Sequence, residues 1–147
     1  MKEDSFGVIP LMRHEGEWRI FIILHKHGNH WGFPKGKANS GEAPLESARR
    51  ELKEETGLEV EQVLCEQPII ETYTFYRNKA KVDKTVHYYP AIVSGAFILQ
   101  PEEIRDGKWL SFQKAHQTLT FNEAKALCKK IEKLTQIQSR VYDRHEP

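Results

Sequence analysis

What this chain has least of narrows its class first. It has only two cysteines, Cys65 and Cys128, far apart and with no metal-binding spacing around them. That excludes a disulfide scaffold and a cysteine-ligated zinc site, and leaves both as small apolar residues in a reducing compartment. Net charge is nearly absent, because 22 basic and 21 acidic residues leave +1. A dedicated nucleic-acid binder carries a large basic excess, so no extended nucleic-acid surface is expected, although local patches remain compatible. There is no apolar run long enough for a signal peptide or a membrane span, and a cytoplasmic location is the expectation. Repeats and low-complexity segments are missing too. What remains is a chain of 147 residues, 39% of them hydrophobic, expected to form one domain over residues 1–147 with a loose tail at 139–147.

The hydrophobic patterning predicts strands at residues 5–12 and 18–25, the second a nearly continuous apolar run. Residues 26–41 are rich in Gly, His, Asn and Pro and read as loop or short strand. Pro44 suits the first turn of a helix and Gly57 its C-terminal cap. Strands follow at 60–66 and 69–76, then a charged turn at 78–84 and a strand at 85–93. Ser111 can cap a short helix. Thr120 with Glu123 forms a capping-box pattern for a last helix, with Ala124, Leu127, Ile131 and Leu134 at helical spacing to about residue 138. Strands mixed with three helices predict an α/β fold in which helices cover both sides of a mixed sheet.

One helix carries chemistry. In residues 44–56, Leu45, Ala48 and Leu52 form the buried stripe. Glu51, Glu54 and Glu55 fall at i, i+3 and i+4 and share one side of the helix. Like charges at this spacing cost about 0.2–0.5 kcal/mol per pair. They also sit toward the helix C-terminus, where the macrodipole disfavours negative charge. Both effects oppose folding, and a bound cation would reverse their sign. Clustered carboxylate oxygens suit hard ions such as Mg²⁺ or Mn²⁺. The plainer alternative is a solvated acidic face paired with Arg49, Arg50 and Lys53.

The flanking residues favour the metal. Read from Gly36, the pattern is Gly, five residues, Glu42, seven residues, Arg50-Glu51-Leu52, one residue, Glu54-Glu55, one residue, Gly57-Leu58. At every specified position this resembles the signature of the Nudix hydrolases. The resemblance implies the Nudix fold, a mixed β-sheet sandwiched between α-helices, and substrates that are nucleoside diphosphates linked to another group. It implies Mg²⁺, or Mn²⁺, held by Glu51, Glu54, Glu55 and the Gly36 carbonyl. Arg50 would orient Glu51, and Glu42 would support the loop–helix turn. The chemistry agrees with the residues. A phosphoanhydride is protected by its own negative charge, and divalent ions neutralise that charge and acidify a bound water. A zinc cluster of His25, His27 and His30 is the weaker metal reading, having no nearby cysteine.

Residues outside this segment narrow the substrate. His30-Trp31-Gly32-Phe33-Pro34-Lys35 leads into it, and Glu71-Thr72-Tyr73-Thr74-Phe75-Tyr76 follows. Further on come Lys84-Thr85-Val86-His87-Tyr88-Tyr89, Trp109-Leu110-Ser111-Phe112 and Thr120-Phe121. From about residue 5 to 130 the chain is similar to the asymmetrical bis(5′-nucleosyl)-tetraphosphatase group of that family. The resemblance implies a dinucleoside polyphosphate substrate, diadenosine tetraphosphate, cut to ATP and AMP. Lys35 and Lys84 would contact the polyphosphate, with His30 beside it. Tyr73 or Tyr76, which lie at opposite parity on one strand, would stack on adenine with Phe121. Tyr88 is a weaker stacking candidate, and Trp18 and Trp109 read as packing residues. Glu103, or its neighbour Glu102, would be a further metal ligand, and Glu55 or Glu103 the general base. Residues 77–84 either guide an anion or form a solvated hairpin tip. The same lead-in also resembles RNA 5′ pyrophosphohydrolases, and a nucleotide-sanitising or ADP-ribose enzyme is a further alternative. A non-catalytic nucleotide sensor is the reading from another class, opposed by the intact glutamates.

Overall fold

Residues 8–11 and 20–23 are almost continuously apolar, the pattern of strands covered on both faces. The computed structural model, which describes residues 1–145 and the side chains of residues 1–137, places them in β1 (Lys2–His14) and β2 (Glu17–His25). Ile9, Leu11, Ile20 and Ile22 pack on one face, under α2 (Phe112–Thr118) and α3 (Asn122–His145). Val8, Phe21 and Ile23 pack on the other, under Ala48 and Leu52 of α1 (Pro44–Thr56). Trp18 and Trp109 border these two cores as packing residues.

The sheet has eight strands and is mixed. Its spine is β3 (His30–Gly32), β2, β1, β7 (Ala80–Ser94) and β5 (Glu59–Val63), with β1 and β7 parallel. The two-residue β4 (Lys35–Gly36) pairs with β1, β6 (Ile69–Arg77) with β7, and β8 (Ile104–Leu110) with β2. This is the mixed sheet between helices that the patterning predicts. Among the described residues no helix is long and apolar enough to cross a membrane.

Several expectations need correcting. The turn expected at 78–84 is only Asn78 and Lys79, both at positive φ, while Ala80 to Lys84 continue β7 against β6. Two central residues at positive φ match the twist of a tight hairpin, so the strands run to the turn itself. Strand β8 was not expected, because Asp106 and Gly107 are poor strand formers. It forms because β2 offers a free edge, and position 107 calls for glycine because a methyl there would overlap the Phe21 ring. The capping box at Thr120 is not made: its hydroxyl accepts from the Trp31 amide at 2.8 Å. Helix α3 starts at Asn122 and continues past residue 138 to His145. The loose-tail expectation at 139–147 concerns side chains, and at 146–147 backbone, outside the described residues.

Strand β4 can lie against β1 only because of Gly7. A side chain there would overlap the Pro34 carbonyl oxygen and crowd the Tyr88 ring. Gly7→Ala should therefore destabilise the protein by about 1–3 kcal/mol, read as a lower midpoint in urea unfolding. An unchanged midpoint would show that the lead-in can shift without cost.

Candidate active site

Helix α1 is held at its N-terminus by an unusual cap. Ala43, the capping residue, offers no side chain, and Glu42 before it takes over. Its carboxylate accepts from the Asn39 amide, the Ser47 hydroxyl and both Nε and Nη2 of Arg50, at 2.7–3.0 Å. The Arg50 hydrogen bonds lead the interactions that hold this carboxyl at about 2. The same guanidinium donates through Nη1 to Glu51 Oε1 and Glu54 Oε2, both at 3.0 Å, and through Nη2 to the Lys37 carbonyl at 2.8 Å. One guanidinium thus ties the helix start, two helix carboxylates and the lead-in loop together. Arg50 contacts Glu51, the residue toward which an orienting role is expected of it.

The other end of the helix carries the uncompensated charge. Gly36 faces Glu51 so closely that a methyl group on it would overlap the carboxylate. Glu55 is buried, and its Oε2 accepts from the Lys35 amide at 3.2 Å. Burial, reinforced by the charges of Glu51 and Glu103, pushes the Glu55 carboxyl up to about 8. Burial also raises Glu51, against the pull of Arg50. Of the two acidic neighbours after α1, it is Glu103 whose charge reaches both. Its segment is joined to the helix end, where Ile98 and Gln100 donate their amides to the carbonyls of Thr56 and Glu55 at 2.7 and 3.0 Å. Gly57, in the left-handed region at φ 79°, caps the helix and lets the chain turn there.

Among the described residues no three His, Cys, Asp or Glu side chains already converge at metal-ligating separation. The donor set still fits a hard divalent cation. Glu51 and Glu55 are carboxyls raised first by burial and then by neighbouring negative charge, that of Glu103 acting on both, a cost that a cation would relieve. Glu54 is exposed and engaged by Arg50. The histidine alternative has no such support. The rings of His25 and His30 stack face to face at 4.5 Å, and burial holds His25 down to about 3, with its Nε2 unpartnered. His27 lies exposed in the adjoining turn.

Beside the carboxylates lies one face of β1, β7 and β6, here called the groove, whose floor is set by register. Across β1, β7 and β6 the rows are Glu3–Lys84–Tyr73, Ser5–Val86–Glu71 and Gly7–Tyr88–Ile69. Lys84 is buried and Tyr73 half-buried on this face. Tyr76 is on the opposite parity and 71% exposed, so of the two tyrosines only Tyr73 belongs to the groove. Tyr88 is a core residue here. His30 and the exposed Phe121 meet at 5.1 Å, bringing together two residues expected at the substrate. Lys35 joins β4 to Glu55, and its charge reaches His30, Glu71 and Lys84.

Two groove residues escaped the sequence reading. Glu71 is half-buried, its carboxyl raised by burial, and it alternates with Tyr73 on one face. That i, i+2 spacing was the available signal. Glu3 sits opposite Lys84 and accepts from Arg77, a pairing between positions 74 apart that no local pattern announces.

A family profile described as NUDIX domain matches residues 1–130. A bis(5′-nucleosyl)-tetraphosphatase [asymmetrical] of Rattus norvegicus is 35% identical over 110 residues, 72% of this chain and 74% of that one. Its counterpart in Caenorhabditis elegans is 32% identical over 133 residues, 89% of this chain and 95% of that one. A crystal structure of a C. elegans Ap4A hydrolase binary complex superposes with a TM-score of 0.69, covering 90% of this chain and 97% of that one at 20% identity. That last likeness concerns the fold.

The raised Glu55 carboxyl has a consequence for the metal-free protein. Between 4.5 and about 8 the native state keeps a proton that the unfolded chain releases. Stability is therefore greatest below that window, falls through it and levels off above. Glu55→Gln should be the more stable protein by roughly 2–4 kcal/mol at about pH 9, with the gap closing toward about pH 5. Urea unfolding in chelator measures this, and a gap independent of pH would contradict it.

Proposed function

The chain belongs to the Nudix family of pyrophosphohydrolases, and we propose that it hydrolyses dinucleoside polyphosphates, cutting diadenosine tetraphosphate to ATP and AMP. The observation that carries this reading is the adjacency of two environments. A carboxylate cluster at Glu51, Glu55 and Glu103 adjoins a groove that presents Lys35, Lys84 and Tyr73, with His30 and Phe121 meeting beside Trp31. A substrate with a long anionic centre and an aromatic base at each end matches such a surface.

Glu51, Glu54, Glu55, Glu103 and the Gly36 carbonyl would hold Mg²⁺ or Mn²⁺. Bound there, divalent ions neutralise phosphate charge and lower the pKa of a water. Arg50 keeps the Glu51 carboxylate facing Gly36. Glu55 or Glu103 takes the proton of the attacking water. Lys35 and Lys84 bind the polyphosphate as point charges, with His30 at its side. His25, neutral behind the His30 ring, backs that ring without adding charge. Tyr73 stacks on one adenine and Phe121 adds an aromatic edge. The water oxygen bonds to the phosphorus of the terminal nucleotide, the bond from that phosphorus to the bridging oxygen breaks, and ATP departs. Tyr76 has no part in this account.

Incubation of the pure protein with Mg²⁺ and diadenosine tetraphosphate, followed by chromatography, should give ATP and AMP in equal amounts. Glu55→Gln should lower kcat by about 10²-fold or more while substrate binding persists. Two molecules of ADP would refute the cleavage position. Absence of turnover alongside rapid pyrophosphate release from RNA 5′ ends would transfer the protein to the RNA-processing branch.

A further inference from the structure

At the outer end of the groove, three cations converge on one carboxylate. Glu3 accepts from Arg77 Nη1 at 2.6 Å and Nη2 at 3.3 Å, and meets Lys84 Nζ at 3.5 Å and Lys37 Nζ at 3.6 Å. The other carboxylates of these strand ends do not help. Asp4 pairs with His87 and Asp83 with Thr74, on the opposite parity and so the opposite face of the sheet. The cluster therefore holds an excess of positive charge. Lys84 feels it most, because burial and the charges of Lys35 and Lys37 all oppose its ammonium. Such a site calls for a second anion.

The cluster also lies in line with the carboxylate end of the groove. Gly36, which faces Glu51, pairs with Phe6, and Glu3 is three residues earlier on the same strand. Three residues of strand cover roughly 10 Å, a distance that a polyphosphate chain spans and a single phosphate does not. Lys37 bridges the two ends. Its carbonyl is held by Arg50 and its side chain reaches Glu3.

We propose that Lys84, Arg77 and Lys37 form a distal phosphate subsite and that Glu3 is a built-in competitor for it, setting how strongly the protein prefers long polyphosphate chains. This rests on the polyphosphate reading above for its substrate, but its electrostatics can be tested without hydrolysis. Lys84 is placed by a buried position in β7 rather than by Glu3. Removing the Glu3 charge therefore leaves the subsite standing and more positive. An amide in its place still accepts from Arg77.

The test is equilibrium binding of inorganic tripolyphosphate and of orthophosphate to the full chain in chelator, by calorimetry. Glu3→Gln should tighten tripolyphosphate by about fivefold, as expected for one charge a few ångströms away near a surface. Orthophosphate, with less charge to place in the subsite, should gain less than tripolyphosphate, and both gains should shrink with added salt. Adding Arg77→Ala to Glu3→Gln should cancel most of the gain. If Glu3→Gln does not fold, Arg77→Ala alone should weaken tripolyphosphate by about threefold or more and orthophosphate by less. Equal effects on both anions, or none on either, would overturn the proposal. So would weaker tripolyphosphate binding by Glu3→Gln, which would mark Glu3 as a strut for its neighbours. A gain in tripolyphosphate binding by a protein that fails to cleave diadenosine tetraphosphate would keep the subsite and refute only the substrate.

Discussion

The parallel pairing of β1 with β7 is the constraint on which everything else hangs. It runs through ten residue pairs, from Lys2 and Asp83 to Leu11 and Ile92. Parallel neighbours cannot be joined by a tight turn, so the chain must leave the sheet and return. The excursion between them carries β2, the lead-in with β3 and β4, the carboxylate helix, and then β5 and β6. The register of that pair then decides which side chains share the groove floor. A slip of one residue would turn Glu3 and Lys84 away from each other's face and remove Tyr88 from Gly7. Such a slip would also exchange the side chains that β1 sends to its two cores, Ile9 and Leu11 on one face and Val8 on the other, which fit different neighbours.

Charge is distributed along α1 in a way that separates stability from chemistry. At the start of the helix Glu42 and Arg50 satisfy one another, and the arrangement is that of a stable ion-pair network. At the end, Glu51 and Glu55 are placed with too little positive charge: Arg50 draws Glu51 down and Lys35 draws Glu55 down, yet burial raises both. Fully paired carboxylates would have no use for a cation. Carboxylates left underpaired are less stable but competent to bind one.

Much of this was legible because it is local. The carboxylate helix announces itself by Pro44 at its start, Gly57 at its end and an apolar stripe between them, of which Ala48 and Leu52 are fully buried and Leu45 half-buried. The strands rich in isoleucine are found for the same reason. What was hidden depends on partners far away in the chain. Strand β8 exists because β2 has an open edge, and nothing in its own residues demands it. Thr120 has the right neighbour for a capping box, but the amide of Trp31 captures its hydroxyl. Parity could show that Tyr73 and Tyr76 face opposite ways, and only pairing with Lys84 says which faces the groove. Glu3 lies in an unremarkable N-terminal stretch, and its meaning comes entirely from the strand beside it.

The segment bearing Glu103 is hydrogen-bonded to the end of α1 through main-chain amides and carbonyls. Phe97 and Leu99 add packing against Phe21 and the core beneath α1, whereas the side chain of Ile98, between them, is exposed. The acidic residue thus keeps its station while exposed positions such as Ile98 are free to drift. A region of this kind can accumulate sequence change over evolutionary time, acquiring new surfaces and contacts, without the carboxylate end of the groove registering the difference.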